Sequence, residues 1–306
     1  MSSRGRALPL VLGAALALSP LVACGSSSEA GSSPGGPLRI EASFYPLQWV
    51  AEQVGGPRVT VANLTPPGAE PHDLELNPRD TAALADADLV VFLSGFQPAV
   101  DDALETVDTP TIDAADHVDL DLAAAHGEHG EDPGPDPHFW LDPTRLAEVA
   151  TAFGDAMVGL DPDHAEGYRT RVARTVASLE DLDGDLEAGL ADCEQRDLVT
   201  SHEAFGYLAR RYDLTQVGVS GVSPDEEPSA SDLASVIDFV SRHDVRTIYF
   251  EPLVSPDVAQ TVADETGART AVLDPLEGLS DASEGDDYLE VMRANLATLR
   301  AGQGCS

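Results

Sequence analysis

The sequence contains no lysine, so all 17 of its basic residues are arginines, and they are outnumbered by 54 acidic residues. The formal net charge is therefore −37 over 306 residues. A surface this negative repels nucleic acids and anionic lipids, which makes both poor candidates for partners. It attracts cations weakly over a wide area, although a protein that is merely soluble in a salt-rich surrounding can carry the same charge.

A long membrane-spanning run is missing near the N-terminus, where the apolar stretch over residues 7–24 is too short for a good span. The stretch follows Arg4 and Arg6 and ends in LVAC, with Gly and Ser after it. This pattern is typical of a lipoprotein signal, whose cysteine becomes the lipid-bearing N-terminus. We expect a signal peptide over 1–23, a lipid on Cys24 and a flexible tether over 24–37; a plain secretory signal is the alternative.

Cysteine is scarce, and beyond Cys24 only Cys193 and Cys305 remain. Export would place this pair in an oxidising compartment, where cysteines tend to be bonded. An even pair in an exported protein suggests one disulfide, which would tie the end of the chain to its middle. The alternative is two unrelated buried thiols.

The order of the predicted elements indicates an α/β protein with two lobes. From residue 38 onward, short β-rich runs alternate with helical patterns, which predicts mainly parallel sheets covered by helices. We assign the first (β/α) lobe to 38–143, a helical linker that includes one long backbone helix to 144–193, and the second lobe to 194–306. A bound ligand is then expected in the crevice between the lobes.

One segment of the first lobe breaks the alternation. Residues 113–136 hold eight acidic residues, three histidines (His117, His126 and His129) and no basic residue. Glycine and proline fill its second half, which predicts a mobile acidic loop. It could collect metal ions weakly or be no more than a solvated insertion.

Four residues carry the chemistry that the sequence offers. His72 lies in GAEPHDLEL after the second predicted strand, His138 in DPHFWLDP, His202 in VTSHEAFGY and Asp274 in VLDPLEG after the last strand. Because ligands bind beyond the carboxyl ends of parallel strands, we expect these four to meet in one crevice. Imidazole nitrogens with one carboxylate suit Zn²⁺. Taken singly, each histidine could instead be a packed or hydrogen-bonded residue.

These motifs resemble the solute-binding lipoproteins of zinc and manganese ABC transporters, the ZnuA/TroA-like family. GAEPHDLEL, DPHFWLDP, VTSHEAFGYLARRY and LDPLEG are similar to the four ligand-bearing stretches of that family, and the resemblance extends from about residue 38 to the C-terminus. It implies two rigid (β/α) lobes joined by one long helix, with His72, His138, His202 and Asp274 as the metal ligands. Glu251 in YFEPL is a candidate to support a ligand from behind.

The resemblance also implies what the protein does. It implies an extracytoplasmic receptor that binds Zn²⁺ and delivers it to an ABC permease with a cytoplasmic ATPase. The receptor is expected to be monomeric and lipid-anchored to the outer face of the cytoplasmic membrane. Manganese is the alternative metal, but a third imidazole at His202, where manganese receptors tend to have a carboxylate, favours zinc.

Two other classes of function fit the sequence less well than the receptor. A membrane-anchored zinc hydrolase would need an open coordination position and a general base, and the sequence contains neither an HExxH pair nor a GxSxG elbow. An adhesin or scaffold that uses the metal for stability would need an interaction patch, and none is visible in the sequence. The expectation is therefore a binding protein rather than an enzyme.

Overall fold

The computed structural model describes residues 36–123, 134–224 and 228–306. The predicted signal peptide, the lipidation site Cys24, and His126 and His129 of the acidic loop lie outside the described residues. Within them, no helix is both long and apolar enough to cross a membrane.

The first half of the chain forms a four-stranded parallel sheet in the order β2-β1-β3-β4. Its elements are β1 (Leu38–Ala42), α1 (Tyr45–Gly55), β2 (Val59–Asn63), α2 (Pro78–Asp86), β3 (Leu89–Phe92), α3 (Pro98–Leu104) and β4 (Thr111–Asp113). The sequence marks some of these boundaries directly. The side chain of Asn77 caps α2 by accepting the backbone N–H groups of Arg79 and Asp80. In turn, the carboxylate of Asp80 accepts the backbone N–H of Asn77.

Two helices follow and run through the middle of the molecule. They are α4 (Pro143–Leu160) and α5 (Ala165–Leu190), and a short 3-10 turn that begins at Pro162 leads into the second. With 26 residues, α5 is about 39 Å long. It packs against α1, against α4 and against the last helix of the chain, and its presence confirms the predicted long backbone helix.

The second half repeats the layout of the first. Its sheet is also four-stranded and parallel, in the order β6-β5-β7-β8, so the first strand of each half lies second in its sheet. Its elements are β5 (Asp197–Thr200), α6 (Gly206–Arg211), β6 (Thr215–Gly218), α7 (Ala230–Arg242), β7 (Thr247–Phe250), α8 (Asp257–Thr266), β8 (Arg269–Val272) and α9 (Tyr288–Gln303). The expected α/β fold with two parallel sheets is confirmed.

One apolar core runs through both halves. It includes Ile40 of β1, Leu179 and Leu182 of α5, Leu198 of β5 and Tyr249 of β7, each no more than 1 % exposed. Two smaller clusters fill the outer faces, one beneath α2 and α3 and one beneath α7 and α8. Each sheet is therefore covered on both sides, which is what parallel sheets require.

The predicted disulfide is present between Cys193 and Cys305. It joins residues 112 positions apart and fastens the end of α9 to the segment that follows α5. In the described parts of the acidic segment, Ala123 and Pro135 form an isolated antiparallel bridge.

Candidate metal centre

Three histidines and one glutamate meet at a single buried point. The Nε2 atoms of His138 and His202 each lie 3.1 Å from Oε1 of Glu277, and Nε2 of His72 lies 3.6 Å from the same oxygen. One ligand atom from each of the four residues lies within 4.8 Å of all the others. Three imidazole nitrogens and a carboxylate oxygen form a donor set that suits a tetrahedral Zn²⁺ ion.

The topology explains why these residues meet. His72 lies in the connection between β2 and α2, His202 follows β5, and Glu277 follows β8. His138 immediately precedes a 3-10 helix, Phe139–Leu141, that leads into α4. The carboxyl ends of parallel strands lie at one edge of each sheet, so strand-end side chains from both halves face each other. The structure thus brings together the three predicted histidines.

His138 is held from two sides by carboxylates. Its Nδ1 lies 2.8 Å from Oδ1 of Asp136, which also accepts the backbone N–H of His138, and its Nε2 faces Glu277. Burial lowers the pKa of His138, but the hydrogen bonds to Asp136 and Glu277 outweigh that effect and raise the pKa above its ordinary value. Asp136 was not identified in the sequence as a partner, although its position two residues before the histidine is visible there.

His202 has the same kind of environment. Its Nδ1 lies 2.7 Å from Oε1 of Glu251, whose carboxylate also accepts the hydroxyl of Ser201. Burial lowers the pKa of His202, but the charges of Glu251 and Glu277 hold it well above the ordinary value. The position of Glu251 fits the supporting role expected from the sequence, since a carboxylate on the second nitrogen fixes the orientation of the ring.

The carboxylate in the cluster is Glu277, whereas the sequence analysis placed Asp274 there. Asp274 is buried, but its Oδ1 accepts the backbone N–H of Leu276 at 2.8 Å, and its backbone pairs with the side-chain amide of Asn295. Burial raises the pKa of Asp274 to about 6. Asp274 therefore shapes the loop that carries Glu277. Both carboxylates are visible in the motif LDPLEG. The expectation that ligands lie just beyond strand ends favoured Asp274, because it is the nearer of the two to the end of β8.

The backbone of Leu276 accounts for the difference. Leu276 has φ of 58°, in the left-handed region that a residue with a branched side chain seldom adopts. Glu277 follows Leu276 directly, so this left-handed conformation helps to set the direction in which the Glu277 side chain leaves the loop toward the three imidazoles. A left-handed residue costs roughly 1–2 kcal/mol, and the fully buried Leu276 side chain helps to hold it in place.

Aromatic rings from the first half of the chain pack against two of the imidazoles. The ring of Trp140 lies 5.2 Å from that of His138, and the ring of Phe96 lies 4.6 Å from that of His72. Phe139 and Trp140 are completely buried, as expected for residues that pack behind His138. These apolar surroundings exclude water from one side of the imidazoles and strengthen their electrostatic interactions.

Glu277 is the negative centre of the site. Its burial raises its pKa, but the facing imidazoles of His202, His138 and His72 outweigh burial and hold the pKa well below the ordinary value. A second carboxyl group, Glu70, accepts the backbone N–H of His72 at 3.1 Å. Burial and the charge of Glu277 raise the pKa of Glu70 to about 9, which favours its neutral form at neutral pH.

The raised histidine pKa values predict that Zn²⁺ binding releases protons. Below those values, His138 and His202 hold protons that a metal must displace, so the affinity should rise with pH through and above the ordinary histidine range. The folded protein gains stability from these protonated rings at low pH and loses it as pH rises through the raised pKa. Calorimetry in buffers of different ionisation enthalpy should detect roughly one to two protons released per ion; a release of none would contradict the assignment.

Residues 40–302 match the family described as "ZnuA: Zinc-uptake complex component A periplasmic". The "High-affinity zinc uptake system protein ZnuA" of Bacillus subtilis (strain 168) is 36 % identical over 296 residues, covering 92 % of each chain.

A relative and a solved structure from Streptococcus pneumoniae are also similar. The "Zinc-binding lipoprotein AdcA" of strain R6 is 35 % identical over 293 residues, which are 92 % of this chain but 58 % of that protein. The chain thus spans just over half of that longer relative. The structure of the Zn(II)-bound ZnuA-like domain of AdcA superposes with a TM-score of 0.75 at 35 % identity, covering 88 % of this chain and 99 % of that domain.

Proposed function

Because the chain belongs to the ZnuA family of zinc-uptake components, we propose that it is the extracytoplasmic zinc-binding receptor of an ABC-type importer. The observation that carries the proposal is the convergence of three imidazole Nε2 atoms on one oxygen of Glu277. In this proposal His72, His138, His202 and Glu277 are the four ligands of the ion.

The carboxylates behind the imidazoles support zinc as the cargo. Asp136 and Glu251 each face the Nδ1 of a histidine whose Nε2 points into the site. A carboxylate in this position fixes the ring tautomer and makes the facing nitrogen a stronger ligand. Three nitrogen donors favour zinc over manganese, which prefers oxygen, so manganese is the lesser alternative.

The burial of the site supports binding rather than catalysis. His138, His202 and Glu277 are each no more than 1 % exposed, and four protein donors complete a tetrahedral shell. Catalytic zinc needs an open position for water or substrate. No observation on the described residues favours the hydrolase alternative.

Delivery of the ion requires partners and an anchor. The receptor hands Zn²⁺ to a membrane permease driven by a cytoplasmic ATPase, as the family of solute-binding receptors implies. The lipid on Cys24 holds it, as a monomer, to the outer face of the cytoplasmic membrane. The name of the lipoprotein relative supports this anchor, and the short apolar run before Cys24 is consistent with it.

Titration of the metal-free protein with Zn²⁺ and Mn²⁺, together with thermal unfolding, tests the proposal. After chelation, the protein should bind one Zn²⁺ per chain at least 100-fold more tightly than Mn²⁺, since affinity of nitrogen sites rises from Mn²⁺ toward Zn²⁺. The chelated protein should stay folded, because none of its apolar clusters includes a metal ligand, and Zn²⁺ should raise its melting temperature. Tighter Mn²⁺ binding would contradict zinc as the cargo, and unfolding on chelation would indicate a structural ion.

A further inference from the structure

Trp140 links the two segments that carry His138 and Glu277. Its indole N–H donates to the carbonyl oxygen of Pro275 at 2.8 Å, and both partners are buried. Trp140 lies two residues after His138, and Pro275 lies two residues before Glu277. One hydrogen bond therefore connects the first-half ligand segment to the second-half ligand loop.

The rest of that loop is held from within the second half. Asn295 bonds both backbone groups of Asp274, and the Asp274 carboxylate accepts the N–H of Leu276. The carbonyl group of Pro275 lies between these two residues and accepts the indole N–H of Trp140. The loop is thus fixed to its own half on either side of Pro275 and to the first half at Pro275.

Trp140 itself is fixed in position. Its backbone carbonyl accepts the hydroxyl of Tyr288 at 2.6 Å, and its ring packs on those of Phe44, Phe96 and Phe139. With its ring packed and its backbone carbonyl bonded, Trp140 presents its indole N–H to the loop from a well-held position. A rigid donor at this point transmits its position to Glu277 through two residues, one of them the left-handed Leu276.

We propose that Trp140 is a positioning residue of the metal centre: its indole N–H holds the Pro275 carbonyl and thereby sets the distance of Glu277 from the three imidazoles. This inference rests on the proposed function, because it assigns the residue a role in binding the same ion. Loss of a group that orients a metal ligand typically weakens metal affinity by about 10- to 100-fold.

The chain supplies a matched control, since it has two tryptophans and both are buried. The indole nitrogen of Trp49 has no hydrogen-bond partner among the described residues, and its ring packs on Tyr288. Trp140→Phe should weaken Zn²⁺ binding by about 10-fold or more. Trp49→Phe loses the same ring volume but no bond to the loop, so its Zn²⁺ affinity should match that of the wild type.

A double-mutant cycle with Glu277→Gln separates positioning from packing. If Trp140 acts through Glu277, Trp140→Phe should have little effect on Zn²⁺ affinity once the Glu277 carboxylate is gone. The visible spectrum of bound Co²⁺, which reports tetrahedral geometry, should also change in Trp140→Phe and not in Trp49→Phe. An equal loss of affinity with and without the Glu277 carboxylate would overturn the inference.

Folding is monitored by circular dichroism on every variant. Should Trp140→Phe fail to fold, replacement of Trp140 by benzothienylalanine keeps the ring size and removes only the N–H donor, with the same expected loss. Unchanged Zn²⁺ affinity in that variant, or in a folded Trp140→Phe, would overturn the positioning role alone. Failure of the wild-type protein to bind Zn²⁺ would overturn both the positioning role and the proposed function.

Discussion

Replacement of His138 by alanine should weaken Zn²⁺ binding by about 100-fold or more. Zinc sites of four ligands bind with roughly 10–16 kcal/mol, so one ligand contributes on the order of 3 kcal/mol. His138 is fully buried and its Nε2 faces Glu277, so no water-exposed group can readily replace it. Competition titration with a chelator of known affinity would measure the loss.

The same substitution should also destabilise the chelated protein. It leaves the buried carboxylates of Asp136 and Glu277 without the imidazole that lies between them, and breaking a buried pair costs about 3–5 kcal/mol. His164→Ala is a suitable control, because His164 is exposed and bonds Asp161 at the start of α5, away from the site. A folded His138→Ala protein with wild-type affinity would remove His138 from the ligand set.

The second large effect distinguishes Glu277 from Asp274. Glu277→Gln removes the negative ligand on which three imidazoles converge and should weaken Zn²⁺ binding by roughly 100-fold. Asp274→Asn keeps an oxygen that can accept the N–H of Leu276, so its effect on affinity should stay below about 10-fold. Both variants are nearly isosteric, which makes them matched controls for each other.

Isothermal titration of the two variants under one set of conditions would decide between the carboxylates. If Asp274→Asn lost more affinity than Glu277→Gln, the ligand assigned from the sequence would be restored and the geometric assignment would fail. Equal losses would indicate that both carboxylates contact the ion. The melting temperatures of the chelated variants separate a damaged loop from a lost ligand.

Much of the fold could be predicted from local sequence. The alternation of β-rich and helical runs, the proline at the start of the turn into α5 and the polar cap of α2 each mark an element that the structure contains. The identical strand order of the two sheets could not be predicted, because it depends on which strands pair rather than on where they lie in the chain.

The three histidines of the site could be predicted from the sequence, but its carboxylate could not. The three histidines lie beside proline or at strand ends, and the parallel topology brings them together. The carboxylate was not predictable in this way, since Glu277 lies five residues beyond β8 and reaches the site through the left-handed turn at Leu276. A leucine gives no local signal of that conformation, which the surrounding tertiary contacts impose.

The single core that passes from β1 through α5 to β7 limits how an ion can leave. Two lobes with separate cores could swing apart about a flexible connection, but here such a swing would expose the apolar side chains on the buried face of α5. A wide separation of the two halves is therefore costly, which favours release of the ion without one.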